Sequence, residues 1–313
     1  MKCPICAYDA GLAQQSLYDD RYGYKGFFDV YRCSFCAHTF LDVRLEAEEI
    51  GDLYTKYYTR KSISELRMPQ FGTFKAWLDG VADVCQYVKP GSKVLDIGCG
   101  SGENLLYLKS IGCEAIGSDA DQNLAALAEK YKLNIRIGMF APSAFDEGGF
   151  DYVIMNQLIE HMPNPLIFLQ SVKTLLKPTG KVILATPNIE GWGRKIWGKR
   201  WLHWHAPYHV TFFSSDSLEK TIALSGFKME KKITKTSSNW FYFQLRHALF
   251  YPEPGETSIF WKDELRKAKI LRRIQSKLIT VLYKFKVGHL ITRIFDALGI
   301  GDNMTIILSR IEP

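Results

Sequence analysis

The sequence lacks any run of about 20 predominantly apolar residues, the length a membrane-spanning helix requires. The nearest approach, Trp201 to Ser215, is interrupted by His203, His205, His209 and Pro207. An apolar run is also missing after Met1-Lys2-Cys3-Pro4, so the start does not read as a secretory signal. No internal repeat or low-complexity tract is found. Nor is the chain poor in core-forming residues: with 47% hydrophobic and 23% charged residues it excludes wholesale disorder. These absences predict a soluble, cytoplasmic protein, and 313 residues allow about two domains or one enlarged domain with appendages.

Acidic residues are scarce in one place. Between Trp261 and Arg293 ten lysines and arginines face only Asp263 and Glu264, which leaves the rest of the chain close to neutral although the whole carries +7. Leu271, Ile274, Leu278, Val281, Leu282 and Phe285 recur there at helical spacing and define one apolar face. Three readings of the basic side stay open: a solvated face on helices docked to the body, a surface for anionic lipid, or a nucleic-acid track.

Seven cysteines are present, and four of them are paired as Cys3-x-x-Cys6 and Cys33-x-x-Cys36. In a reducing compartment two such turns predict four thiolates around a structural Zn2+, a zinc ribbon, rather than disulfides. Ala7 and Ala37 stand where glycine often follows the second cysteine of such a turn. A closed four-thiolate shell favours a staple for a small subdomain over direct contact with substrate or nucleic acid.

Leu45 to Lys89 has helical spacing and aromatics that include Tyr54, Tyr57, Tyr58, Phe71, Phe74 and Trp77, and Pro90-Gly91 ends it. Strand patterns at Lys93 to Ile97, Glu114 to Gly117, Asn134 to Ile137, Tyr152 to Met155 and Lys181 to Ala185 then alternate with helical ones. That alternation predicts an α/β fold with helices on both faces of a parallel sheet. A helix over Ser217 to Ser225, capped by Ser214 or Ser215, leads to a strand at Phe227 to Ile233. Leu245 to Gly301 reads as mostly helical, and Met304 to Leu308 as a last strand. The predicted organisation is a ribbon over 1–44, a helical cap over 45–90, a Rossmann-like domain over 91–243, a basic helical insertion over 244–300 and a final strand in 301–313.

The first strand runs through Asp96-Ile97 into Gly98-Cys99-Gly100-Ser101-Gly102, a turn that lets backbone approach a nucleotide-like ligand at the carboxyl edge of the sheet. Glu103 stands where a dinucleotide fingerprint needs its third glycine, so a cofactor without phosphates fits better. Asp119 follows the second strand at the place where a carboxylate can accept two ribose hydroxyls; a helix cap or solvated loop is the alternative.

Asp96 to Gly102, Gly117-Ser118-Asp119, Phe150 to Ile154 with Glu160-His161-Met162, and Leu176 to Lys181 together resemble the class I S-adenosylmethionine-dependent methyltransferases over roughly residues 90 to 235. The ribbon, Tyr54 to Tyr58 and His209 to Ser214 are similar to a bacterial subgroup that often acts on sugars, lipid-linked sugars or other small metabolites. The resemblance implies a seven-stranded sheet whose last strand, Met304 to Leu308, is antiparallel. It also implies S-adenosyl-L-methionine as cofactor, with Gly98 and Gly100 under its methionine part, Asp96 nearby, Asp119 on the ribose and Asn156 facing the methionine end. Gly138-Met139-Phe140 stands where the family often has an acidic residue near the adenine, so Met139 and backbone would pack against it.

Methyl transfer from a sulfonium needs alignment and sometimes a base. His161 is the first candidate base, against a purely packing role. His203, His205 and His209 suggest an acceptor wall, with His209 a second catalytic candidate, more than a metal site, because no carboxylate stands in register with them. The expected reaction is O-methylation of a sugar-containing or related small molecule. An RNA methyltransferase using ribbon and basic helices is one alternative, although Asn156-Gln157-Leu158-Ile159 replaces the Asn-Pro-Pro-aromatic turn of enzymes that methylate base nitrogens. A cofactor-binding scaffold without turnover is another. Contact of 261–293 with an anionic membrane at its inner face is the partner expectation beside the small-molecule acceptor.

Overall fold

The computed structural model describes residues 1–43, 49, 53–57, 65–81 and 83–311. Tyr58 and the side chain of Tyr54 lie outside the described residues. Strands β1 (Ala10–Leu17), β2 (Phe28–Cys33) and β3 (Thr39–Leu41) form an antiparallel N-terminal sheet. A short helix α1 (Phe74–Asp79) follows, capped by the Thr73 side chain and closed by the left-handed Gly80. Strand and helix then alternate: β4 (Lys93–Ile97), α2 (Glu103–Ser110), β5 (Glu114–Asp119), α3 (Ala125–Tyr131), β6 (Asn134–Ile137), β7 (Phe150–Asn156), α4 (Pro165–Leu175) and β8 (Leu176–Pro187). After α5 (Trp192–Trp197) come β9 (Thr211–Phe212), α6 (Ser215–Leu224) with a capping box at Ser214 and Ser217, and β10 (Phe227–Lys235). Helices α7 (Ser238–Leu249), α8 (Ile270–Lys284) and α9 (Val287–Ala297) precede β11 (Asn303–Arg310).

The large sheet has seven strands in the order β10-β11-β8-β7-β4-β5-β6. Strands β4 to β8 pair in parallel, and β11 runs antiparallel to both β8 and β10. This is the α/β, Rossmann-like architecture expected, with the C-terminal helices inserted before the last strand. Its centre is buried on both faces, so the strands read as nearly continuous apolar runs whose alternate residues serve different layers. Leu95, Ile97, Val153, Met155, Val182 and Leu184 pack on one face with Phe213, Leu218 and Ile222. Val94, Tyr152, Ile154, Ile183 and Ala185 pack on the other with Val84, Cys85 and Leu108.

Two features depart from the expected organisation. The N-terminal sheet has a fourth strand, β9, which arrives from beyond β8 and pairs with β3 through Thr39↔Phe212 and Phe40↔Thr211. Trp201, Trp204, Ala206 and Phe212 accordingly share a core with Leu17, Phe28, Val30 and Leu41. The segment predicted as mostly helical is broken over 250–269, where Pro252, Pro254 and Gly255 cannot continue α7 and only the turn Leu265–Lys267 is helical. This stretch lies against the N-terminal subdomain: Tyr18 donates its hydroxyl to the Pro252 carbonyl at 2.8 Å, and the Ser258 amide donates to Arg21 at 3.0 Å.

Candidate functional site

The parallel register sets the site. Ile97 pairs with Ser118 on one side and Met155 on the other, so the turn after β4, Asp119 at the end of β5 and Asn156 at the end of β7 share one edge of the sheet. In the turn Gly98, Gly100 and Gly102 are all left-handed, with φ of 72°, 54° and 88°. Their reasons differ. A Cβ on Gly102 would come within 2.8 Å of Leu133, so that glycine serves packing, whereas a Cβ on Gly100 would meet nothing within 4 Å and faces open space. Gly100 therefore exposes backbone to whatever binds at the edge.

Asp119, 6% exposed, accepts from the Gly100 amide at 2.9 Å and from the Asp121 amide at 3.0 Å. One carboxylate thus couples the glycine turn to the loop after β5. Asp96 is wholly buried on a core face, and neither of its oxygens has a hydrogen-bond partner among the described residues. Burial, reinforced by the charges of Asp83 and Asp119, holds its carboxyl well above the ordinary range. Asn156 is half-buried, and the following Gln157 amide donates to Ala185 at 2.9 Å. Gly138 lies beside Asp119, donating its amide to the Asp119 carbonyl at 2.8 Å, but the Met139 side chain is 85% exposed.

His161 and His209 come together as perpendicular rings 4.7 Å apart. The residue sequence reasoning missed is Glu160. It is fully buried, accepts from the Thr186 hydroxyl at 3.0 Å through Oε2, and has its carboxyl pushed up to about 8 by burial. Its signal was available only as adjacency to His161; the fold supplies the rest by placing Thr186 at the end of β8 beside the end of β7. Burial drives His205 and His209 well below the usual imidazole range. The expectation that no carboxylate stands with the histidines is corrected here: the ligand atoms of Glu160, His161 and His209 lie within 4.8 Å of one another. His203 faces Asp302 instead, at 3.6 Å.

The four paired cysteines also converge. Cys3 and Cys36 sulfurs are 3.6 Å apart, and Cys6 lies 3.4 Å from both Cys33 and Cys36. Zn–S bonds of about 2.3 Å in a tetrahedron require sulfur edges of about 3.8 Å, so the set can hold zinc. The Ile5 and Phe35 amides point at the Cys3 and Cys33 sulfurs, each at 3.4 Å, and Ala7 and Ala37 adopt φ of 60° and 59°, the left-handed turn that glycine would have taken more cheaply.

Residues 71–232, just over half of the chain, match the family model described as a methyltransferase domain. The chain belongs to this methyltransferase family. A ubiquinone biosynthesis O-methyltransferase of Cupriavidus pinatubonensis is 30% identical to the chain over 119 residues, 36% of this chain and 46% of that protein. One from Bartonella bacilliformis is 28% identical over 151 residues, 44% of this chain and 61% of that protein. The chain spans about half the length of the curated relatives it matches. A solved SAM-dependent methyltransferase from Archaeoglobus fulgidus is 19% identical, with a TM-score of 0.44, covering 72% of this chain and 89% of that one.

The methyltransferase domain has a site that fits S-adenosylmethionine. The open face at Gly100 would admit the cofactor against backbone, and the Asp119 carboxylate would offer acceptors for hydroxyls.

Proposed function

We propose that the protein transfers a methyl group from S-adenosylmethionine to an oxygen of a small-molecule acceptor, with sugars and lipid-linked sugars the favoured class. The observation that carries this reading is the Asp119 carboxylate held on the Gly100 amide, which supports a ribose contact beside the glycine turn. The bound sulfonium supplies an activated methyl group; the chain supplies position and a place for a proton. Asp119 orients the ribose, Gly98 and Gly100 allow close approach, and Asp96 and Asn156 line the methionine end. His161 and His209 form the polar wall where an acceptor hydroxyl can give up its proton.

Incubating the protein with labelled S-adenosylmethionine and a panel of acceptors tests this. Label is expected in hydroxyl-bearing sugars or phenols. Label confined to RNA would favour the nucleic-acid alternative, and no transfer to any acceptor by protein that binds the cofactor would favour the scaffold.

The lipid-linked part of the reading has its own support. Most of the apolar stripe of the basic helix is uncovered: Leu271, Ile274, Leu278 and Val281 of α8 and Phe285 just after it are exposed while Leu282 is half-buried, and Val287, Leu290 and Ile294 of α9 and Leu298 just after it are exposed as well. Arg272, Arg273, Lys277 and Lys284 on α8 are exposed too, and Phe74 and Trp77 stand exposed on α1, which packs against α9. Among the described residues no helix is long and apolar enough to cross a bilayer. Apolar residues flanked by cations suit an anionic headgroup layer, where each basic residue contributes about 1 kcal/mol. The protein is expected to sediment with vesicles rich in anionic lipid, less with neutral ones, and progressively less as salt rises. Equal partitioning or none would remove the membrane from the account, and a salt-insensitive dimer would assign the stripe to a second copy.

A further inference from the structure

The histidines beside Glu160 are held in a particular tautomer. His161 Nδ1 lies 2.9 Å from the Tyr208 carbonyl oxygen, and His209 Nδ1 lies 2.8 Å from that of His203. A carbonyl oxygen only accepts, so both Nδ1 atoms carry the hydrogen, the arrangement that in a neutral imidazole leaves the lone pair on Nε2. Glu160 has one oxygen on Thr186, while its Oε1 is buried with no hydrogen-bond partner among the described residues. A buried carboxyl oxygen left without a partner is one that a bound cation would satisfy. The chain supplies no lysine or arginine to it among the described hydrogen bonds and ion pairs, but it does bring two imidazole donors within 4.8 Å.

From this geometry we propose that Glu160, His161 and His209 bind a divalent transition-metal cation, separate from any zinc on the cysteines. Two nitrogens and one carboxylate oxygen suit Zn2+, Fe2+, Co2+ or Mn2+ better than Ca2+ or Mg2+. Backbone carbonyls on the far ring nitrogens are the supports that orient metal-binding histidines. Three protein ligands leave coordination positions open. Resting on the methyl-transfer reading, the occupant of an open position is the acceptor's oxygen. Its hydroxyl proton passes to solvent, a lone pair on oxygen forms the new O–C bond, and the pair of the breaking S–C bond returns to sulfur. Cation and histidines then share one task, since His161 and His209 hold the charge that makes the hydroxyl acidic rather than taking its proton themselves.

The test uses the full chain with its cysteine site loaded and Mn2+ as probe, because Mn2+ prefers oxygen and nitrogen donors and does not compete for thiolates. Free Mn2+ is followed by its paramagnetic resonance signal. One Mn2+ per chain is expected to bind, with Glu160→Gln and His209→Ala each weakening it at least tenfold and leaving S-adenosylhomocysteine affinity within about twofold. Glu160→Gln retains shape and the hydrogen bond to Thr186, so it decides the matter if His209→Ala does not fold. Absence of saturable binding at millimolar Mn2+, or binding unchanged in Glu160→Gln, overturns the proposal. Loss of homocysteine-product binding with Mn2+ binding intact would instead overturn the methyl-transfer reading and leave the metal site standing.

Discussion

Asp119→Ala is expected to lower the affinity for S-adenosylhomocysteine by at least tenfold in calorimetry. Hydrogen bonds from a ribose to a carboxylate are worth about 1.5–3 kcal/mol each, and tenfold is only about 1.4 kcal/mol. The carboxylate also holds the Gly100 and Asp121 amides, so its removal frees the turn that the cofactor needs ordered, and that cost adds to the first. Asp119→Asn, which keeps one acceptor oxygen and the size of the side chain, is expected to fall between the two. An alanine variant of unchanged affinity would remove Asp119 from the ribose and with it the observation on which the functional reading rests.

Keeping the four-cysteine site free of metal is expected to have the other large effect. Elemental analysis should give one zinc per chain on Cys3, Cys6, Cys33 and Cys36, and Cys33→Ser or a strong chelator should release it. Structural zinc sites contribute about 10–16 kcal/mol to folding, more than the small cluster of Ile5, Ala10 and Phe40 around the sulfurs can replace. Thermal unfolding should therefore split, with the N-terminal sheet melting first. The cofactor edge is built from β4, β5 and β7 and should keep its affinity through that first transition, while turnover falls because β3 no longer supports β9. A metal-free protein with a single unchanged melting transition would contradict the assignment.

Much of this was legible because it is local. The glycine turn, Asp119 and the strand–helix alternation are written within short windows, and hydrophobic period and turn chemistry suffice to read them. The cysteine pairs were legible for the same reason. Glu160 was not: an acidic residue beside a histidine looks solvent-facing, and only the neighbouring strand and the crossing of the Tyr208 loop enclose it. The exposure of Leu271 to Phe285 was equally hidden, since periodicity identifies an apolar face but cannot say what, if anything, covers it. Helix over 250–269 was overread where two prolines and a glycine had given warning. Met139 kept its expected place in the chain, yet its side chain points to solvent, because loop conformation is set by contacts rather than by sequence register.

Strand β9 is two residues long, and yet it decides what can be inherited separately. Leu41 donates its amide to the Val210 carbonyl, and Val210 donates its own to the Glu160 carbonyl, so a backbone chain runs from the cysteine-bearing sheet to the main chain of Glu160. The family match begins at residue 71 and leaves the first half of that chain outside. A fragment cut at the family boundary would strip β9 of its partner and lay Trp201, Trp204 and Phe212 bare, a loss of about 1.5–3 kcal/mol for each large side chain and an invitation to aggregate. For the same reason a graft between relatives that exchanged the N-terminal segment alone would pair an aromatic loop with a sheet it was never selected against. The two stretches, distant in sequence, share one core and would have to be exchanged together.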